Sequence, residues 1–294
     1  MELPFVKMEA LGNNYIYVDA LSGNIPELNW SEAAEEVSDI YTGIGSDGLI
    51  WIGSSQVATA KMRIFNKDGS EAKNCGNGLR CVAKHIFDEG YTGGEHQFSI
   101  ETLSGTVRAS ITKVEGGQAK AIEINMGAPI FNSHEIPFLF DGETPVVAQE
   151  LQFGGTDVTA TVLSMGNPHA VIFVDDITSA PIETLGPKIE RDDQFPDGVN
   201  IEFIEKINRH EYNFAVWERG SGRTRACGTG ACAAGVAAVL NGLSERDEDI
   251  LIHLEGGDLV IRWGADHDVH MTGDARVVCR GIYYFKETCD LNPV

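Results

Sequence analysis

The chain repeats itself. Cys75-Gly76-Asn77-Gly78-Leu79-Arg80-Cys81 returns as Cys227-Gly228-Thr229-Gly230-Ala231-Cys232, the leading cysteines standing 152 positions apart. The same offset carries Phe65-Asn66-Lys67 onto Trp217-Glu218-Arg219. It also carries Gly48-Leu49-Ile50-Trp51-Ile52 onto Asn200-Ile201-Glu202-Phe203-Ile204. Shifted two residues further, Leu11-Gly12-Asn13 falls on Met165-Gly166-Asn167. Four matches in one order at nearly one offset indicate a gene duplication, and a duplicated chain folds as two similar halves.

With 294 residues there is length enough for two hydrophobic cores. Each half follows one plan. An apolar strand beside a Gly-Asn turn (Tyr15–Asp19, Ala170–Val174) is followed by a variable acidic stretch. A second strand comes next (Leu49–Ile52, Ile201–Ile204), then a third that runs into a loop (Lys61–Asn66, Tyr212–Glu218). Each loop enters a helix at its cysteine. Cys75–Glu89 carries Leu79, Val82, Ala83, Ile86 and Phe87 at helical spacing. Cys227–Leu243 is almost wholly Ala, Gly, Val and Leu, the pattern of a helix buried on all sides.

Further strands are expected at Phe98–Ile100, Val107–Ile111 and Ala121–Asn125 in the first half, and at Ile250–Leu254 and Leu259–Trp263 in the second. The expected fold class is α/β (α+β). Two pseudo-symmetric halves, each a β-sheet or barrel wrapped around one central helix, would hold the active site in a cleft between them. The first half spans residues 1–127, joined by a C-terminal strand (Gly281–Lys286) within about 275–294, and the second spans 128–274.

The formal net charge of −22, spread along the chain, repels nucleic acid and anionic membrane surfaces. Met1–Asp19 has no apolar core before a cleavage-like site, and no apolar run approaches the roughly 20 residues of a membrane span. The expected location is the cytoplasm, where the six cysteines are mostly reduced thiols. Cys75/Cys81 and Cys227/Cys232 have spacings that place side chains on different helix faces, and CxxC and HxxxH pairs are absent, so no metal site is expected. Cys81 and Cys232 are assigned to packing; Cys279 and Cys289 lie outside any motif and read as exposed spare thiols.

The two cysteine turns carry the chemistry. Their glycines let the backbone approach a ligand closely. The helix starts present unpaired N–H groups, which bind a carboxylate and favour a thiolate over a thiol. One such cysteine alone is ordinarily an inert, buried residue. Two related by duplication can stand on opposite sides of one carbon, removing a proton from one face and returning it on the other. The α-hydrogen of an amino acid is a very weak acid, and many enzymes use pyridoxal phosphate as an electron sink. No lysine is marked for that role. The expected reaction is a cofactor-independent epimerisation, with the helix N-termini stabilising the charge that develops.

At these residues the chain resembles the diaminopimelate epimerase family. The resemblance rests on Lys7–Asn13, Arg63-Ile64-Phe65-Asn66 with Asp68-Gly69-Ser70-Glu71, Cys75–Cys81, Gly166-Asn167-Pro168-His169, Val199-Asn200 and Glu218–Gly230. It implies an isomerase that interconverts LL- and meso-diaminopimelate, supplying lysine and the peptidoglycan cross-link, with Cys75 and Cys227 as the thiolate/thiol pair. It implies that Gly76-Asn77 and Gly228-Thr229 hold the reacting carboxylate. Asn13, Asn66, Asn167, Asn200 and Arg219 would grip the distal end, and a homodimer is implied as well. Arginine binds a carboxylate bidentately, and asparagines serve both charges of a zwitterion. His169 and Glu218 would tune the thiols, Glu218 alternatively meeting the α-amine.

One departure stands out: many family members carry glutamine where this chain has Gly48, so that contact is absent, made by backbone, or supplied by Ser46 or Asp47. Two rivals remain. A proline or hydroxyproline racemase shares the paired cysteines but needs no grip on a distant stereocentre. A non-catalytic duplicated protein that captures small zwitterions would keep the caps and asparagines yet have no use for two thiols.

Overall fold

The computed structural model describes residues 1–23, 25–73 and 75–285. Cys289 and the end of the expected Gly281–Lys286 strand lie outside them. The chain divides into two compact units, Met1–Ile122 with Asp274–Val294, and Glu123–Gly273.

The first unit opens with β1 (Glu2–Ala10), β2 (Asn13–Asp19), α1 (Trp30–Ser38), β3 (Gly48–Gly53), β4 (Ala60–Asn66) and β5 (Glu71–Ala72). It continues with α2 (Gly76–Asp88), β6 (Gln97–Thr102), β7 (Gly105–Glu115) and β8 (Gln118–Asn125), the last running past the boundary. The second unit holds β9 (Val146–Phe153), β10 (Thr156–Ser164), β11 (Pro168–Val174), α3 (Ile182–Glu190), β12 (Asn200–Asn208) and β13 (Glu211–Glu218). Next come β14 (Gly222–Thr224), α4 (Gly228–Leu240), β15 (Ile250–Leu254), β16 (Gly257–Trp263) and β17 (Val269–Gly273). The chain then returns to the first unit as β18 (Arg276–Tyr284), antiparallel to β1.

Strand register repeats between the units at the offset read from the cysteines. β2 and β3 pair in parallel with Ile16 opposite Leu49, as β11 and β12 do with Ala170 opposite Ile201. Leu49 faces Phe65 across β3 and β4, and Ile201 faces Trp217 across β12 and β13. The parallel step from β4 to β6 sets Ala60 opposite Ile100; that from β13 to β15 sets Tyr212 opposite Ile252. A one-residue slip would turn every side chain to the other face, so shared register is strong evidence of a shared plan.

Within each unit the sheet wraps the cysteine-led helix. α4 touches β10, β11, β12, β15, β16 and β17, and its residues Gly230–Ala238 are all buried. Only a small residue fits at Gly235, where a Cβ would stand 2.7 Å from Ile261 Cγ2. α2 is equally buried although it carries three basic side chains. Arg80 Nη2 donates to Asn77 Oδ1 (2.8 Å) and Arg80 Nε to the Asp274 carbonyl (3.1 Å). Lys84 pairs with Asp88 at 2.7 Å, and His85 Nε2 lies 3.0 Å from Asp19 Oδ2. Buried charge is tolerated because each group has a partner.

Besides the central helix expected in each half, the described residues form a second α-helix in each unit. The acidic stretches fold as α1 and α3, on the outer side of the sheets. α1 packs Ala33, Ala34 and Val37 over Leu3, Ile16, Val18, Leu49 and Phe65. α3 packs Ile182, Leu185 and Ile189 into a core with Phe138, Phe153 and Phe195, the last two rings 5.8 Å apart. Both helices are only nine residues long, and α3 contains Gly186 and Pro187, which hide its periodicity. Cys81 and Cys232 are fully buried and Cys279 is exposed.

Candidate active site

Each unit builds one cysteine cap from a β-strand that ends in a loop and a helix that begins at the sulfur. Cys75 and Cys227 are the N-cap residues of α2 and α4, both in extended conformation. Each sulfur accepts a hydrogen bond from the N–H three residues on, Gly78 at 3.4 Å and Gly230 at 3.3 Å. The sulfur thus stands where a serine or aspartate oxygen caps an ordinary helix, beside the remaining unpaired N–H groups.

The Cys75 cap gathers Asn13 and Asn77. Cys75 Sγ lies 3.7 Å from Asn13 Oδ1, and Asn13 Nδ2 donates to Asp47 Oδ2 at 2.9 Å. Asn14 N donates to the same Asp47 oxygen at 2.7 Å. Asn77 is buried and held by Arg80, while Asn66 Nδ2 donates to Ser70 Oγ at 3.0 Å. Tyr15 hydrogen-bonds Asn13 and Cys75, and its hydroxyl pKa is raised by burial first and then by Cys75 and Asp47.

Gly48 explains why no side chain reaches out here. A Cβ would run into the Phe65 carbonyl and sit 2.9 Å from the Tyr15 ring. Asp47 fixes Asn13, and Ser46 Oγ donates to the Gly48 carbonyl at 2.9 Å.

The Cys227 cap is more ionisable. His169 Nδ1 lies 2.7 Å from Glu202 Oε1, both side chains fully buried, and His169 Nε2 lies 3.1 Å from Asn167 Oδ1. Glu218 accepts from the Thr224 hydroxyl, and Thr229 Oγ1 lies 3.5 Å from Cys227 Sγ. Asn200 Oδ1 accepts from the Arg219 N–H at 2.8 Å; Arg219 Nη1 donates to the Asp197 carbonyl at 2.8 Å. Burial pushes the Cys227 thiol well above its ordinary pKa, reinforced by Glu218 and Glu202 and opposed by Thr229 and the Gly230 N–H. The helix start favours thiolate, while burial of the sulfur acts in the opposite sense.

Of the expected site residues, Asn13, Asn66, Cys75, Gly76 and Asn77 lie in the first unit, and Asn167, His169, Asn200, Glu218, Arg219, Cys227, Gly228 and Thr229 in the second. Glu202 and Tyr15 were missed as site residues. Glu202 alternates with apolar neighbours in a strand, and only its duplicated counterpart, Ile50, signals that a carboxylate there is unusual. Among the described residues, no cluster of three or more His, Cys, Asp or Glu could hold a metal, and no helix is long and apolar enough to cross a membrane.

A family model described as diaminopimelate epimerase matches residues 5–132 and 161–278. The chain is 53% identical over 280 residues to the diaminopimelate epimerase of Bacillus subtilis (strain 168), covering 95% of this chain and 98% of that protein. Its fold is similar to that of a Bacillus anthracis phenazine biosynthesis protein of the PhzF family (TM-score 0.69, 16% identity, 97% of this chain and 100% of that chain). It is likewise similar to that of a hydroxyproline epimerase from Agrobacterium vitis (TM-score 0.69, 13% identity, 98% and 94%).

Proposed function

The chain belongs to the diaminopimelate epimerase family, and on that premise we propose that Cys75 and Cys227 are the acid–base pair of the epimerisation. The enzyme is an isomerase that interconverts LL- and meso-diaminopimelate, a step towards lysine. One thiolate takes the α-proton and the opposite thiol supplies another to the other face; in the reverse direction the roles exchange. The observation that carries this reading is the repeated cap, a cysteine sulfur accepting from the third N–H of a helix, twice, at equivalent places.

Gly76-Asn77 and Gly228-Thr229 offer helix-start N–H groups to the reacting carboxylate, where negative charge grows as the proton leaves. Arg80 supports this by holding Asn77. Asn13, Asn66, Asn167, Asn200 and Arg219 grip the distal carboxylate and amine. His169 and Glu218 adjust the proton affinity of Cys227, a role supported by the charge of Glu218 on that thiol. The caps themselves stabilise the developing charge, so the reaction needs no pyridoxal phosphate. The acidic surface fits a cytoplasmic enzyme of a small zwitterion. The exposed side chains Ile282 and Tyr284 on one face of β18 support a homodimer.

The test is turnover in heavy water. Deuterium enters the α-position of diaminopimelate during inversion, and Cys75→Ala or Cys227→Ala each abolishes inversion. Undiminished inversion in either variant removes the two-base mechanism. Polarimetry with L-proline and hydroxyproline beside LL-diaminopimelate decides the substrate, and activity on proline alone overturns it.

A further inference from the structure

The two caps are built on the same backbone but not on the same floor. In the first unit the residue beneath the third helical position is Ile50, whose Cδ1 would stand 2.8 Å from a Cβ at Gly78. In the second unit the equivalent residue is Glu202, whose Oε1 would stand 2.7 Å from a Cβ at Gly230, with Cys227 Sγ 3.2 Å from that same point. A carboxylate thus lies under one cysteine where a hydrocarbon lies under the other. Tyr15 likewise gives way to His169 as the strand neighbour of the cap, and Asn66 to Glu218.

We propose that Glu202 is a positioning residue of the epimerisation, acting through a proton it shares with His169 to fix the histidine tautomer and the charge beneath Cys227. This rests on the reading of Cys227 as an acid–base group.

The hydrogen bonds define the arrangement. His169 Nε2 faces the amide oxygen of Asn167, so it carries hydrogen. His169 Nδ1 and Glu202 Oε1, 2.7 Å apart, then hold one proton between them. Glu202 Oε2 receives no hydrogen bond from any described residue. An ionised carboxylate with one oxygen so buried is costly, whereas a neutral acid donating from Oε1 to Nδ1 leaves Oε2 as a plain carbonyl oxygen. Burial raises the Glu202 pKa in the same sense, against the pull of His169 and with the push of Glu218.

With the proton present the pair is neutral. Without it, a negative charge sits under Cys227 beside that of Glu218 and opposes thiolate formation. The groups that act on Cys227 are Glu202 on β12, Glu218 on β13 and Thr229 on α4 itself, with His169 on β11 paired to Glu202. Of these, Glu202 and His169 have fully buried side chains.

Glu202→Gln is the discriminating variant. The amide keeps the shape and donates to Nδ1, so it imitates the protonated state permanently. Rates of iodoacetamide modification of Cys227 against pH, followed by mass spectrometry on the full-length enzyme, should show the midpoint falling by about one pH unit. Turnover of diaminopimelate should fall about tenfold with KM changed less than twofold, as for a group felt in the transition state and not in binding. Glu202→Asp, too short to span the pair, should lose turnover with the Gln variant.

Nitrogen NMR of histidine-labelled wild type reads the tautomer without any substitution, and His169 should carry hydrogen on Nε2. The inference is overturned by an unprotonated Nε2, or by a Gln variant with wild-type modification midpoint and turnover. Failure of the two-base reading itself would look different: Cys227→Ala would stay active whatever Glu202 does.

Discussion

Seen side by side, the Cys75 and Cys227 caps have kept their backbone and exchanged their surroundings. Helix start, sulfur-to-N–H bond and strand register are the same in both. What differs is the set of side chains packed beneath the two helix starts. Ile50 and Met62 lie against Gly78, where Glu202 and Phe214 lie against Gly230. Gly48, closed off by Phe65 and Tyr15, corresponds to Asn200, which caps the Arg219 N–H. A two-base enzyme needs one thiolate and one thiol at rest, and two identical caps would not tell them apart. Backbone places a thiol at a helix start; neighbouring charge and burial decide whether it keeps its proton.

The contrast can be broken in order of expected effect. Replacing either sulfur by a hydroxyl removes a proposed acid–base group, so Cys75→Ser and Cys227→Ser should each lower kcat by about 10²- to 10⁴-fold. Stopped-assay inversion checks this, and a loss confined to one variant would mean that the caps are not partners in one reaction. Next comes Gly48→Asn, which gives the first half the second half's residue. Its side chain meets the Phe65 backbone and the Tyr15 ring, and unfolding by urea should show a loss of about 1–3 kcal/mol. Stability equal to wild type would show that the strand can open there.

The reciprocal change, Asn200→Gly, leaves the Arg219 N–H without its side-chain acceptor. It should cost about 1 kcal/mol and raise KM for diaminopimelate more than it lowers kcat. An unchanged KM would separate Asn200 from the substrate grip.

The smallest effect concerns alkali. The folded pKa of the Cys227 thiol lies above its unfolded value, so the stability it contributes is complete below about pH 8.5 and is lost as pH rises through the folded value. Between about pH 8.5 and 10.5, wild-type stability should fall more steeply than that of Cys227→Ser. Parallel slopes would show that Cys227 ionises as easily folded as unfolded.

The sequence by itself determined the doubling, the order of strands and cysteine-led helices, and the pair of cysteines proposed as the acid–base groups. Those are local signals: glycine next to cysteine, apolar spacing of 2 or 3.6, and recurrence at a fixed offset. Tertiary structure decided the rest. It made α1 from an acidic stretch and α3 from one broken by Gly186 and Pro187, because apolar residues such as Leu185 and Ile189 found a core. It buried Arg80, Lys84 and His85 in α2 by supplying each with a partner. It also put Glu202 beneath Gly230 and beside His169. Nothing in the text Ile201-Glu202-Phe203 says which neighbour that carboxylate will meet. Register between strands far apart in the chain sets it, and register is a property of the folded sheet.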